Sequence, residues 1–106
     1  MKVNDITEAV IGAAIEVHLR KIPFELEVPL PVVYKGFKLD CGYRVDMVVA
    51  GAVVVEVKAI ERVAPVHEAQ LLTYLRMGGW NAGLLINFNV PVLRDGIVRR
   101  VLGLEE

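Results

Sequence analysis

Eight consecutive residues, Val53-Val54-Val55-Glu56-Val57-Lys58-Ala59-Ile60, constrain the fold more than any other stretch of this chain. A β-branched run of that kind reads as a buried strand, yet two charges sit inside it. The two-residue period of a strand puts Glu56 and Lys58 on one face, beside each other. The run before it, Val45-Asp46-Met47-Val48-Val49, carries a third charge. Ionisable groups in the middle of apolar strands are costly unless they are paired or hold a metal.

The connection between the two runs decides whether the acids meet. A two-residue loop at Ala50-Gly51 would oppose Asp46 to Val55 and turn Glu56 to the other face. A three-residue loop, Ala50-Gly51-Ala52, opposes Val49 to Val53 and therefore Asp46 to Glu56. An odd-length connection or a bulge is expected, with Gly51 or a neighbour supplying the unusual backbone angles.

The rest of the chain must complete a layered domain around this hairpin. Its 106 residues are expected to form one domain over 1–106, and 55% hydrophobic content excludes intrinsic disorder. No stretch approaches the roughly 18 unbroken apolar residues of a spanning helix, so no membrane association is expected. Met1-Lys2-Val3-Asn4-Asp5 lacks a signal-peptide layout, which makes the cytoplasm the expected location. Twelve basic against thirteen acidic residues give a net charge of −1, so nucleic acid could be held only by a local basic patch or through a metal. Cys41, the single cysteine, reads as a small buried hydrophobe.

The expected order is α-β-β-β-α-β with a short C-terminal strand, a mixed α+β architecture. Asn4 or Asp5 caps a helix running to about Leu19, ended by Pro23. That helix carries two apolar stripes: Ile6, Val10, Ala13, Ala14 and Val17, then Ile11, Ile15 and Leu19. A strand over 24–33 contains Pro29 and Pro31, which suits a sheet edge. Strands over 42–49 and 53–60 follow. Pro65 opens a helix over 66–77, with Val66, Ala69, Leu72 and Leu75 or Leu71 facing the sheet, and Gly78-Gly79 ends it. A covered strand over 82–88, a turn at Asp95-Gly96 and a strand over 97–102 complete the chain.

Asp46 and Glu56 offer the hard oxygen ligands that Mg²⁺ or Mn²⁺ takes, with coordination positions left for water and a phosphate oxygen. Lys58 reaches the same site, where it can orient a water or stabilise developing charge. The bland alternative is a structural ion pair between Lys58 and one acid. Gln70 and Tyr74 lie four apart on one helical face, as site residues or as ordinary surface polar groups. His67 and Glu68 read as solvated helix-start residues.

Asp46, then Glu56-Val57-Lys58, then Gln70-x-x-x-Tyr74 resembles the PD-(D/E)XK nuclease superfamily, in the branch that shares the Q-x-x-x-Y motif with RecB-type nucleases. The chain is similar still more closely to the bacterial and archaeal GxxExxY proteins. Val28-Pro29-Leu30-Pro31-Val32-Val33-Tyr34-Lys35-Gly36, Gly42-Tyr43-Arg44-Val45-Asp46, the stretch from Pro65 to Leu75, and Gly83-Leu84-Leu85-Ile86-Asn87-Phe88-Asn89-Val90-Pro91 carry that likeness. The Gly-x-x-Glu-x-x-Tyr motif itself is missing, because Val17-His18-Leu19-Arg20 runs almost directly into Lys21-Ile22-Pro23. About one helix of the family's layout is therefore lost.

The resemblance implies a restriction-endonuclease-like core, with a central mixed sheet flanked by helices. It implies a catalytic set of Asp46, Glu56, Lys58, Gln70 and Tyr74, with metal on Asp46 and Glu56. The superfamily often adds an acid from the first helix. Glu16 is the nearest substitute here, its alternative being a surface glutamate. Two functions follow. One is a Mg²⁺-dependent nuclease acting on nucleic acid, DNA ahead of RNA, with Arg44, Arg62, Arg76, Arg94, Arg99 and Arg100 available to phosphates. The other is a non-catalytic homo-oligomeric interaction module that keeps the fold. In either case the second apolar stripe predicts a homodimer in which Ile11 and Ile15 contact the partner.

Overall fold

The computed structural model describes residue 8 and residues 11–13, 15–16 and 18–103, without the side chains of 31–34 and 38–41. Five strands form one sheet in chain order: β1 (Phe24–Tyr34), β2 (Phe37–Val49), β3 (Val53–Lys58), β4 (Ala82–Asn87) and β5 (Ile97–Val101). Only β3 and β4 run parallel, and the crossover between them carries helix α1 (Pro65–Gly78). The sheet is therefore mixed, and the fold is of the α+β, restriction-endonuclease-like kind.

The β2–β3 connection has the predicted odd length. Val49 pairs with Val53, Val48 with Val54 and Met47 with Val55 across Ala50-Gly51-Ala52. Ala50 and Gly51 both take positive φ, 53° and 63°, which lets three residues close the hairpin. The next pair in this register is Asp46 and Glu56.

Strand β2 begins five residues earlier than the apolar pattern suggested, at Phe37 rather than residue 42. Gly42, at φ 75°, is what hid the continuity. The pairing with β1 shifts between Pro29 and Pro31, where three residues of β2 face one of β1. Such a bulge interrupts the alternation that marks a strand in sequence. The two prolines do lie on an edge strand, the place in a sheet that tolerates them.

Helix α1 starts at Pro65 and ends on Gly79 in the left-handed region, φ 76°. Its buried face matches the expected one only in part. Leu71 and Leu75 are buried, whereas Val66 and Ala69 are exposed and Leu72 is half-buried. The reason lies across the interface: a Cβ at Gly83 would sit 2.9 Å from Leu71 and 3.2 Å from Leu75. The absent side chain of β4 admits these two leucines and so sets the helix phase. Leu71, Leu75, Val48, Val54 and Leu85 form the core beneath the helix, joined by Leu30 and Val45. Each such side chain contributes about 1.5–3 kcal/mol by leaving water.

The described N-terminal residues are helical at 8, 11–13, 15–16 and 18–19, as expected. Ile6, Val10, Ala14 and Val17 of the first stripe, the cap at Asn4 or Asp5, and the side chain of Cys41 lie outside the described residues. Among the described residues, no helix is long and apolar enough to cross a membrane.

Candidate active site

The three charges of the apolar strands converge under the first turns of α1. Where the β2–β3 ladder ends at Met47 and Val55, the Asp46 carboxylate continues it: Oδ2 accepts the Val57 N–H at 2.7 Å. That bond holds Asp46 against β3 and beside Glu56. Glu56 is only 5% exposed, and its Oε1 has no hydrogen-bond partner. Burial is the main cause that pushes its carboxyl from 4.5 up to about 8. The neighbouring Asp46 charge and a hydrogen bond to the Asp46 side chain add to the rise, and Lys58 opposes it.

Lys58 is half-buried, and its Nζ donates to Gln70 Oε1 at 3.2 Å. Gln70 Nε2 in turn donates to Tyr74 Oη at 3.0 Å. The i, i+4 spacing on α1 thus places two polar groups in line with the lysine, rather than on an idle surface. Burial pushes the Tyr74 phenol above its usual range, with the Glu56 charge acting in the same direction. Among the described residues no ion pair joins Lys58 to either acid, so the simple structural pair is not what the geometry forms.

All five residues of the predicted set, Asp46, Glu56, Lys58, Gln70 and Tyr74, therefore come together. Glu16 does not join them in any described contact. It ion-pairs with Arg20 at 3.0 Å, both side chains well exposed. No cluster of three or more His, Cys, Asp or Glu side chains suited to a metal occurs among the described residues.

The donor set fits a hard divalent cation. Two adjacent carboxylates, one with an orphaned buried oxygen and its pKa raised chiefly by burial, match Mg²⁺ or Mn²⁺ well. Mg²⁺ commonly takes only one or two carboxylates and fills its shell with water and phosphate oxygens. Asp46 and Glu56 would hold it.

The helix-start residues have structural tasks. His67 Nδ1 accepts the Ala64 N–H at 2.8 Å and so caps the helix, while Glu68 pairs with Arg100. Arg100 is accordingly engaged at the β5 edge. One site neighbour has no strong sequence signal: Tyr43 of β2, whose ring centroid lies 6.3 Å from that of Tyr74. Its place beside Arg44 in a strand with an irregular start gave no period to read.

No curated protein and no solved structure is significantly similar to the chain. A family model of the PD-(D/E)XK nuclease superfamily matches residues 6–101.

Proposed function

Since the chain belongs to the PD-(D/E)XK nuclease superfamily, we propose that it is a Mg²⁺- or Mn²⁺-dependent nuclease hydrolysing phosphodiester bonds, with DNA the first substrate to test. Within the superfamily we place it in the QxxxY branch, among proteins like the GxxExxY group. The observation that carries the reading is the buried, partnerless Glu56 oxygen beside Asp46, in register with Lys58 and the Gln70–Tyr74 pair.

The bound cation would supply Lewis acidity and offset charge at phosphorus. The chain's own residues do the positioning. The Val57 N–H orients the Asp46 carboxylate, and burial fixes Glu56. Lys58, steered by Gln70, places a cation where an attacking water or a phosphate oxygen would meet it. Tyr74 anchors Gln70, which keeps the lysine from swinging into solvent.

Calorimetric titration with Mg²⁺ or Mn²⁺ tests this directly, with cleavage of single- and double-stranded DNA and RNA run in parallel. Metal binding and cleavage, both abolished by Glu56→Ala, are expected. A folded protein that binds neither cation overturns the reading.

A second reading has its own observation. Ile11 and Ile15 are 49% and 54% exposed on the N-terminal helical residues, with Leu19 also exposed. That row suits a homodimer, as catalytic unit or as a non-catalytic module. Light scattering at tens of micromolar should find a dimer that Ile11→Lys with Ile15→Lys dissociates. A monodisperse wild-type monomer would end this reading.

A further inference from the structure

The geometry points to Tyr43 as a base-stacking residue that selects unpaired nucleic acid strands, an inference that rests on the nuclease reading above. Tyr43 lies on β2 three residues before Asp46, about 10 Å along an extended strand. A nucleotide flanking the cleaved bond spans that distance. The ring is held from one side by Tyr74, at 6.3 Å between centroids and 43° between planes. Tyr74 is itself tied to Gln70 and through it to Lys58. Even so, Tyr43 keeps 48% of its surface exposed. A half-exposed aromatic ring packed against a ring of the candidate site can act as a stacking platform.

Two arguments make the occupant an unpaired base. Bases inside a duplex already stack on one another and offer a protruding ring no face, whereas splayed bases of single strands stack readily on tyrosine. The charge balance points the same way. Duplex binding draws its affinity chiefly from many neutralised phosphates, and a net charge of −1 supplies no overall basic excess for that. Arg44, exposed beside Tyr43, and Lys58 can meet the few phosphates next to the stacked base.

The test uses the full chain with single-stranded oligonucleotides carrying one 2-aminopurine, in calcium, a hard cation chosen to fill the carboxylate site without supporting cleavage. Stacking on an aromatic ring quenches that fluorophore. Wild type and Tyr43→Phe should quench it at a defined position. Tyr43→Leu, which keeps apolar bulk without a π face, and Tyr43→Ala should not. Both should bind roughly 5- to 100-fold more weakly. For wild type, an abasic site at the same position should cause the same loss, and duplex should bind worse than single strand.

Equal affinity for the base-bearing and abasic strands overturns the assignment while leaving the nuclease reading intact. So does quenching that survives Tyr43→Leu. A Tyr43→Leu defect of equal size on both strands makes the ring a prop for Tyr74 and also overturns it. Failure to bind any strand removes this inference and the nuclease reading together.

Discussion

Among the described residues, two polar side chains are buried on the helix-facing side of the sheet, and they are opposites. Asn87, 2% exposed at the end of β4, has partners at both its amide oxygen and its amide nitrogen. Its Oδ1 accepts the N–H groups of Ile60 at 3.1 Å and Asn89 at 3.2 Å, and its Nδ2 donates to the Ile60 carbonyl at 2.9 Å. Glu56, 5% exposed on the neighbouring strand, leaves one oxygen without any partner and holds its proton to about pH 8. A buried amide bonded at both its oxygen and its nitrogen is a structural rivet. A buried acid with an orphaned oxygen stabilises nothing by itself and makes sense as a place for a ligand. The rivet serves the site. In the parallel register Asn87 stands beside Lys58, and it clamps the chain two residues beyond that lysine.

The comparison predicts opposite signs for the two substitutions, and the larger effect belongs to Asn87. Asn87→Ala orphans two N–H groups and weakens the Ile60 carbonyl, which keeps only its bond from Asn89 Nδ2. The expected loss is about 3 kcal/mol. Urea unfolding should show a lower midpoint with an unchanged slope. A loss below about 1 kcal/mol would mean that the Asn87 bonds are incidental and the comparison is false.

Glu56→Gln should instead stabilise the metal-free protein. The folded-state pKa is raised, so between about 4.5 and about 8 the folded chain holds a proton that the unfolded chain has released. Stability therefore falls as pH rises through that window and levels off above it. The amide carries no such penalty. Wild type and variant should unfold alike near pH 4, and at pH 8.5 the variant should be more stable by about 2 kcal/mol or more. Adding Mg²⁺ should raise the wild-type melting temperature and leave that of Glu56→Gln unchanged. A wild-type stability that is flat from pH 5 to pH 8 would break this half of the comparison.

The Glu56 half was legible in the sequence and the Asn87 half was not, for a physical reason. Asp46 meets Glu56 because strand parity and a three-residue loop are both local, and counting from Val49 and Val53 suffices. Pro65 and Gly79 bound α1 by equally local rules. Asn87, by contrast, bonds to Ile60, 27 residues earlier, and only the parallel pairing of β3 with β4 brings them together. The phase of α1 was legible only in part for the same cause, at Leu71 and Leu75 but not at Val66 and Ala69. Val66 and Ala69 fit a helical period as well as Leu71 and Leu75 do, and the choice between them rests on the space over Gly83, on another strand. Tyr43 escaped notice because Gly42 and the bulge near it interrupt the alternation of β2.

The smallest effect on stability, and the finest separation of the two roles, is expected at Lys58. Its side chain is half-buried, and its ammonium bonds to Gln70 in an exposed part of the site. A lysine locked in a buried ion pair would be missed by about 3–5 kcal/mol once its partner were left alone. Here no such pair forms among the described residues, so Lys58→Met keeps the methylene stem in place and gives up only a solvent-accessible hydrogen bond. The expected cost is below about 1 kcal/mol, the lost hydrogen bond and the lost pull on the Glu56 carboxyl both counting against the variant. Hydrolysis should nonetheless be abolished, while Mg²⁺ binding by calorimetry survives because the two carboxylates remain. A thermal melt with a cleavage assay on the same preparation separates the cases. A large loss of stability would make Lys58 a rivet like Asn87. Unchanged cleavage would remove it from the chemistry and leave Asp46 and Glu56 as the whole of the site's reactive equipment.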